Sequence, residues 1–465
     1  SLVVGGNAFL DFEYGDDAPW PEGADGRGQT LQLIDPANTP VQDYGDFASW
    51  RGSTQPGGTP AAPPVGPVGI VINEVLAHSD LPQVDSIELL NTTGSSIDIG
   101  GWWLSDDAGN FFKFQIPDPT VIPAGGFVVF DESHFNPNPG SPGPNDFALS
   151  SYNGDQVWLI DPNGTNSAPE LFVDNVVFGA TLSGETLGRW PNSDGRLDPL
   201  ITATLGAANS APRVGPVIIS EMMYNPPGQP GSGVGSSNLE FVEIYNPTAK
   251  EEDLSNWQLN GIAFDFLPGT TIGPGQVVVV VPFDPVSDTD EIAHFESTYR
   301  VSLTQDPAQY VGPYTGRLDG NGERLSLLRA DHPPVGMPTL IPLVIEERVD
   351  YNDTSPWPTS ADGAGDSLHR TASDLWAGDA TNWQANQPSP GVLGPLVSPD
   401  YIPSTKVIGE IGQITTLTHV TQTVPLSKTY SNPVVIAQPL SYFGTQEAVV
   451  RIDNVQAGQF DMYVT

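Results

Sequence analysis

The chain has 465 residues, too many for one ordinary domain, and its 50 glycines and 47 prolines make up about a fifth of the sequence. That share of turn-forming residues excludes a mostly helical protein, whereas the 10 Trp, 13 Tyr and 19 Phe can fill a buried core. A net charge of −40 disfavours nucleic acid and anionic lipid as partners, because both are negatively charged.

Residues for the common catalytic and redox chemistries are scarce. The chain contains no Cys, which excludes disulfides, thiolate nucleophiles and Cys-based zinc sites. Its 6 His are dispersed, none lies in an HExxH spacing, and there is no Gly-x-Ser-x-Gly elbow or Walker loop. The longest aliphatic run, 277–281, is much shorter than a membrane span. We therefore expect a soluble, non-catalytic protein that is not embedded in a membrane.

The first 62 residues resemble the end of a later part of the chain. Pro-Trp-Pro followed by Ala-Asp-Gly occurs at 19–26 and again at 356–363, so Trp20 and Trp357 hold matching positions. Residues 1–62 are therefore predicted to be the C-terminal half of a domain whose other half lies outside the chain. The start at Ser1, without Met or a basic segment, predicts a processed or truncated product.

Two longer segments, 66–212 and 215–393, repeat one pattern of strands and polar residues. The Glu and Asn of one strand are 3 positions apart in both copies, and that Asn and the following Trp are 11 apart. The matching residues are Glu74, Glu88, Asn91 and Trp102 in the first copy, and Glu221, Glu243, Asn246 and Trp257 in the second. Equal spacing across several residue types predicts that one domain was duplicated.

The predicted elements are short strands rich in β-branched and aromatic residues, separated by turns about every 10 residues, as in a β-sandwich. One helix is predicted after Asp288, where Glu291 completes a capping pattern and Ile292, Phe295 and Tyr299 share a face. Linkers rich in Gly and Pro are predicted at 57–67, 208–216 and 388–403. Residues 404–465 are nearly neutral and predict a smaller, incomplete β-domain.

The order and spacing of these Glu, Asn, Trp and Phe residues resemble the lamin tail domain, an immunoglobulin-like β-sandwich. The resemblance implies an all-β fold of tandem sandwiches and a scaffold or binding role, and it implies no reaction. Bacterial domains of this type are similar to parts of large secreted proteins. The C-terminal residues 430–435 and 448–454 show a weaker resemblance to H-type lectins.

The recurring residues have a structural and a functional interpretation. Glutamates at equivalent repeat positions favour carboxylates that accept hydrogen bonds from loop amides over an acid–base pair. The tryptophans Trp20, Trp102, Trp257 and Trp357 could stack on sugars, but their repetition favours core anchors. Trp103 has no counterpart in the second copy, which makes it the better candidate for an exposed aromatic side chain.

Calcium is the one cofactor for which the sequence offers candidate ligands, since hard cations bind clustered oxygens. The candidates are Asp319, Asn321 and Glu323 in one turn, and Asp161 and Asn163 in another. Neither segment completes the twelve-residue calcium loop. Hairpin turns without metal explain the same residues, because Asp-Gly and Asn-Gly suit tight turns.

Together these observations favour a secreted, non-catalytic structural or adhesion protein of a bacterial cell surface or extracellular matrix. Its expected partners are other protein chains or glycans, and strand edges left by incomplete domains allow a homopolymer. One alternative is the accessory region of a larger secreted enzyme. A second is a carbohydrate-binding protein that acts through residues 404–465.

Overall fold

The computed structural model describes residues 2–4, 7–10, 12, 14–16, 18–79, 83–162, 164, 168–193, 195–227, 236–303, 309–334, 336–394, 420–426, 435, 450–457 and 459–464. The chain divides into two compact units, 1–398 and 399–465. Among the described residues, no helix is both long and apolar enough to cross a membrane.

The N-terminal segment, residues 1–62, forms two small antiparallel hairpins and short 3₁₀ turns. Its strands are β1 (Leu2–Val4), β2 (Asn7–Leu10), β3 (Leu31–Leu33) and β4 (Trp50–Gly52). Its 3₁₀ turns are Glu22–Ala24, Val41–Gly45 and Phe47–Ser49.

The first sandwich packs a five-stranded sheet, in the order β11-β6-β5-β14-β15, against a four-stranded sheet, in the order β13-β12-β8-β9. Its elements are β5 (Ile70–Leu76), β6 (Ser86–Asn91), β7 (Ile97–Asp98), β8 (Trp103–Ser105), β9 (Phe114–Gln115), β10 (Val121–Ile122), β11 (Phe127–Asp131), α1 (Glu132–Phe135), β12 (Asp155–Pro162), β13 (Pro169–Phe178), β14 (Leu187–Arg189) and β15 (Leu197–Pro199). Strands β7 and β10 form a separate pair.

The second sandwich repeats this topology, with the strand orders β23-β22-β17-β16-β26-β27 and β20-β19-β24-β25. Its strands are β16 (Ile218–Met223), β17 (Phe241–Tyr245), β18 (Glu252–Asp253), β19 (Gln258–Asn260), β20 (Phe264–Asp265), β21 (Thr271–Ile272), β22 (Val277–Val280), β23 (Tyr310–Val311), β24 (Arg324–Ala330), β25 (Leu343–Asp350), β26 (Ser367–Arg370) and β27 (Trp383–Asn386). The helices are α2 (Thr289–Tyr299) and the 3₁₀ turns Ser236–Leu239, Thr359–Ala361 and Ala380–Asn382.

The strand orders correspond one to one, except that the second sandwich adds the parallel edge strand β23. Both first strands also carry a β-bulge at the same place, at Asn73 in β5 and at Ser220 in β16. The all-β fold class of tandem immunoglobulin-like sandwiches is thereby confirmed. Each core contains the tryptophan expected from the repeat, Trp102 at 9% exposure and Trp257 at 3%.

The predicted helix is present as α2, and Phe295 on its inner face is fully buried. The predicted capping pattern is wrong, because Asp288 makes no side-chain cap and instead accepts the amide of Asp284 at 2.8 Å. The carboxylate closes the preceding turn, so it is not available to the first turn of the helix. Arg300, in the left-handed conformation, ends the helix.

The N-terminal segment matches the end of the second sandwich in detail. Trp20 and Trp50 have ring centroids 6.4 Å apart at 41°, and Trp357 and Trp383 are 6.1 Å apart at 41°. The indole nitrogens of Trp50 and Trp383 each donate to a carbonyl six residues earlier, both at 2.9 Å. The described residues between 12 and 62 thus have the same local structure as the C-terminal end of the second sandwich.

Ion pairs join the two sandwiches directly. Arg196 of the first contacts Asp350 of the second at 2.5 Å, and Arg348 of the second contacts Asp198 of the first at 2.7 Å. In the linker, Arg213 donates to the Ile345 carbonyl at 2.7 Å. Arg196, Arg324 and Arg348 are mostly buried, and their positive charges hold the pKa of Asp350 well below its usual range despite its burial. Charged side chains therefore fix the junction.

In the C-terminal unit the structure describes one antiparallel sheet in the order β28-β30-β29. Its strands are β28 (Gln422–Pro425), β29 (Val450–Gln456) and β30 (Gln459–Val464). The predicted strands near 448–452 and 460–464 correspond to β29 and β30. Those predicted at 413–420 and 434–438 lie almost entirely outside the described residues, as does segment 430–435 apart from its last residue.

Candidate functional site: buried carboxylate pairs

In the first sandwich, Glu74 and Glu88 are fully buried on the adjacent strands β5 and β6. Glu74 accepts the amide and the hydroxyl of Thr204, both at 2.8 Å. Glu88 accepts the amide of Gly206 at 2.5 Å and the side-chain amide of Asn73 at 2.9 Å. The two carboxylates thus hold the segment that leaves the sandwich after its last strand.

The second sandwich repeats this arrangement with Glu221 and Glu243. Glu221 accepts the amide of Ser389 at 2.9 Å and its hydroxyl at 3.0 Å. Glu243 accepts the amide of Gly391 at 3.0 Å and the hydroxyl of Ser220 at 2.7 Å. Each carboxylate therefore has the same role as its counterpart in the first sandwich.

An ion pair, buried in the second sandwich and half-buried in the first, lies beside each carboxylate pair and compensates for the bulge. A bulge removes a backbone N–H and C=O from the strand ladder, and buried groups of this kind need other partners. In the second sandwich Glu347 accepts the Ile219 amide at 2.5 Å, and Arg370 contacts both Glu347, at 2.7 Å, and the Ile219 carbonyl.

The first sandwich uses Asp174 and Arg189 in the same way. Asp174 accepts the Ile72 amide at 2.7 Å, and Arg189 donates to the Ile72 carbonyl at 2.9 Å and to Asp174 at 3.0 Å. Sequence analysis missed these pairs, because Asp174 corresponds to Glu347 and the change of residue type hides the repeat. The arginines could have been found, because Arg189 and Arg370 each follow the matching leucine, Leu187 or Leu368, by two positions.

Asn91 and Asn246 hold a loop in each sandwich. The side-chain amide of Asn91 donates to the carbonyls of Ser95 and Ile122, at 2.8 and 2.9 Å. That of Asn246 donates to Lys250 and Ile272, at 2.7 and 2.9 Å. Both asparagines close turns through bonds with matching partners.

Burial governs the electrostatics of these carboxylates. Desolvation, with a contribution from the neighbouring Glu243 carboxylate, raises the pKa of Glu221 to about 8 against hydrogen bonds that lower it. Desolvation likewise raises the pKa values of Glu243 and Glu88 to about 7. These groups titrate near neutral pH although they accept several hydrogen bonds.

Ser367, His369 and Glu221 form a buried group that superficially resembles a catalytic triad. The Ser367 hydroxyl lies 2.9 Å from His369 Nε2, but Glu221 Oε1 lies 3.4 Å from the same nitrogen and 2.6 Å from the hydroxyl. A triad instead places the acid at the other ring nitrogen. All three residues are at most 2% exposed, and the group is best described as part of the carboxylate network.

Of the calcium candidates, Asp319 and Glu323 lie at a turn where their carboxylates already accept hydrogen bonds. Asp319 accepts the amide of Asn321 at 2.9 Å, and Glu323 accepts the Asp319 amide at 3.0 Å and the Tyr351 hydroxyl at 2.9 Å. Asp161 lies in β12, where burial raises its pKa, and Asn163 is outside the described residues. Within the described part of the chain, no three acidic or His side chains are grouped to hold a metal ion.

The aromatic candidates differ in exposure. Trp357 is buried at 8%, whereas Trp20 is half-buried between Tyr14 and Trp50. Trp103 is half-buried, since it packs with Phe111 and Phe112 on the outer side of its sheet. Trp103 therefore lies on the outer side of the sheet, the side expected for an exposed aromatic residue. Its ring is partly covered, because it packs into an aromatic cluster.

Comparison with known proteins agrees with this architecture. A search of curated proteins gave no match. Among solved structures, a DUF4876 family protein from Bacteroides thetaiotaomicron is similar at 10% identity over 69% of this chain and 96% of its own, with a TM-score of 0.27. The model of the lamin tail domain matches residues 64–179 and 210–331, just over half of the 465 residues. By this match, the chain belongs to the lamin tail domain family.

Proposed function

We propose that the chain is a non-catalytic scaffold of a bacterial cell surface or extracellular matrix, in which tandem sandwiches space and present other parts of an assembly. Its partners would be other protein chains or glycans. The observation that carries this proposal is that the repeated glutamates and asparagines bind the protein's own backbone in both sandwiches. Carboxylates and amides that are hydrogen-bonded to the backbone stabilise the fold, and few of their atoms remain to bind a substrate.

The junction between the sandwiches supports a spacer role. Domains joined only by a linker move relative to one another unless their interface restrains them. Here Arg196 and Arg213 donate from the first sandwich and linker to carbonyls of β25, and Arg196 also pairs with Asp350. A restrained pair of sandwiches keeps the parts of an assembly that it connects at a fixed distance and orientation, which a flexible pair does not.

Removal of the three junction arginines is expected to loosen the pair of sandwiches. Because the chain has no Cys, spin labels can be attached at Ile201→Cys and Leu267→Cys, both of which are more than 60% exposed. In Arg196→Ala/Arg213→Ala/Arg348→Ala, which removes the three arginines that join the sandwiches, the distance distribution between the labels should broaden about twofold. Equal widths in the variant and the parent would contradict the spacer role. The control is His134→Ala, which removes an exposed ion pair with Asp131 within the first sandwich.

Calcium binding remains a prediction with a direct test. The turn around Asp319 and the end of β12 at Asp161 offer oxygens, so millimolar Ca²⁺ is expected to raise the melting temperature by a few degrees and a chelator to reverse the rise, as for any ligand of the native state. The measurement is a thermal scan of the full chain with and without Ca²⁺, and with Mg²⁺ as control. An unchanged melting curve would remove calcium from the account.

The carbohydrate-binding alternative makes a different prediction from a pure scaffold. A glycan array probed with the full chain would give signals above background if the C-terminal unit binds sugars. Absence of signal would leave the scaffold as the better proposal.

A further inference from the structure

Three aspartates of the second sandwich form a group of like charge. Burial, together with the negative charges of Asp362 and Asp319, raises the pKa of Asp353, so these two carboxylates lie within electrostatic range of it. Among the described side chains, none of the three aspartates forms an ion pair. Arg317, two positions before Asp319, interacts with Glu240. Because unpaired like charges repel one another, the group favours a cation as its ligand.

A buried phenol indicates a ligand at the same place. Tyr224 is 2% exposed, and its hydroxyl has no hydrogen-bond partner in the described structure. Its pKa is raised by burial first and then by the charges of Asp362 and Asp353, so the phenol lies within electrostatic range of both carboxylates. Buried polar groups almost always have a partner, and one that lacks it needs an explanation. A ligand that donates hydrogen bonds to the phenol oxygen and to the carboxylates supplies one.

A cavity of about 670 Å³ gives such a ligand room. Its lining includes Tyr224, Asn225 and Asp319. The side-chain amide of Asn225 donates to the carboxylate of Asp362 at 2.6 Å, and Asp362 is exposed, so a ligand can reach it from solvent. The volume lies within the range of about 300–1,000 Å³ that is typical of small-ligand sites.

The first sandwich has different residues at the two most informative positions. Counted along the matching strands, Tyr224 corresponds to Ala77, and Asp353 corresponds to Ala180. Both alanines are buried. The glutamate and asparagine ties are alike in both copies, whereas the phenol and the aspartate belong to the second. This difference is typical of a site added to a common framework.

We propose that this end of the second sandwich binds the guanidinium group of an arginine side chain from a partner chain, with Asp353, Asp362 and Tyr224 as acceptors. The inference rests on the scaffold proposal and deepens it, because it names the chemistry of one partner. A guanidinium has five N–H donors in one plane and can join acceptors that lie too far apart for one metal ion. Within the described residues, no three acidic or His side chains are grouped to hold such an ion.

The chain itself has few basic groups that could fill the site. Segment 228–235, which follows β16, contains no Lys, Arg or His. The Lys and Arg residues that lie outside the described part are Lys406 and Lys428, both in the unit 399–465. An ammonium group from that unit is the competing internal occupant.

A short peptide tests the proposal on the full chain. The probe is acetyl-Gly-Arg-Gly-amide, and the control peptide has citrulline in place of arginine, which keeps the shape and removes the charge. Binding is measured by saturation-transfer NMR at 0.15 M salt, where general attraction to the acidic surface is screened. The arginine peptide should bind at least about tenfold more tightly, because charged hydrogen bonds are stronger than neutral ones.

Variants of the chain locate the binding. Tyr224→Phe removes a hydroxyl that has no partner, and Asp362→Asn removes an exposed charge, so both should keep the fold and weaken binding at least about threefold. Asp290→Asn, an exposed aspartate of α2, is the matched control and should have no effect.

Three results would overturn the proposal. The first is equal binding of the two peptides, or none up to about 50 mM, a concentration far above the millimolar affinity expected of a single side chain. The second is a loss in Asp290→Asn as large as that in Asp362→Asn, since the surface as a whole would then attract the peptide. The third is binding only in Lys406→Gln/Lys428→Gln, because the occupant would then be internal. None of these results affects the label distances that test the spacer role.

Discussion

Replacement of Glu347 by alanine is expected to lower the free energy of unfolding of the second sandwich by about 3–5 kcal/mol, because it leaves a buried guanidinium unpaired. Arg370 is fully buried and lies 2.7 Å from Glu347. The substitution also removes the acceptor of the Ile219 amide at the bulge. Chemical denaturation of the full chain measures the effect, with hydrogen exchange in β16 and β26 assigning the transition to this sandwich.

Two control variants show whether the loss of stability comes from the buried ion pair of the second sandwich. Glu22→Ala removes a half-exposed ion pair with a separation of 3.6 Å and should change the free energy of unfolding by no more than about 1 kcal/mol. Asp174→Ala, at the equivalent position of the first sandwich, should destabilise that sandwich instead. A loss below about 1 kcal/mol in Glu347→Ala would show that the bulge does not depend on the ion pair.

Replacement of Glu221 by alanine is the second large effect that we expect. The carboxylate accepts the Ser389 amide and the hydroxyls of Ser389 and Ser367, and removal of a buried acceptor costs about 1–3 kcal/mol for each group left unpaired. A total of about 3 kcal/mol follows, with loss of order in the exit segment. Glu221→Gln keeps one acceptor oxygen and should cost less than Glu221→Ala.

The same carboxylate predicts how stability depends on pH. The pKa of Glu221 is about 8 in the folded state against 4.5 for an ordinary Glu, so its contribution is complete below pH 4.5 and is lost as pH rises toward 8. His369, whose pKa burial lowers to about 4, acts in the opposite direction, but only below pH 6.5.

Thermal unfolding between pH 6.5 and 8.5 therefore isolates the carboxylates. The parent chain should melt at a lower temperature at pH 8.5, and Glu221→Gln should reduce that difference because it removes one of the titrating groups. Equal pH dependence in the two proteins would mean that Glu221 is already ionised at pH 6.5.

The repeat pattern predicted the architecture because identical residue types recur at equal spacing. Trp102 and Trp257 occupy equivalent cores, and Asn91 and Asn246 close equivalent turns. The expectation that the glutamates bind loop amides agrees with the contacts of Glu88 with Gly206 and of Glu243 with Gly391.

Other features could be read from the sequence only in part, since the repeat marks Arg189 and Arg370 but not the groups that they bind. The ion pairs at the bulges join residues more than 100 positions from the backbone groups that they bind, and no local pattern encodes such a contact. The same is true of Arg196 and Asp350, which meet only after both sandwiches have folded. The Asp288 carboxylate could accept either an amide of the first helical turn or the amide of Asp284 in the preceding turn. In the structure it accepts the Asp284 amide.

The most direct test of the central claim compares Glu74→Ala with Glu221→Ala by hydrogen exchange. If the repeated glutamates are structural ties, each variant should lose protection in its own exit segment, around Thr204 or Ser389, and by a similar factor. The other sandwich should be unchanged in each case. Full protection of the exit segment in either variant would contradict the account.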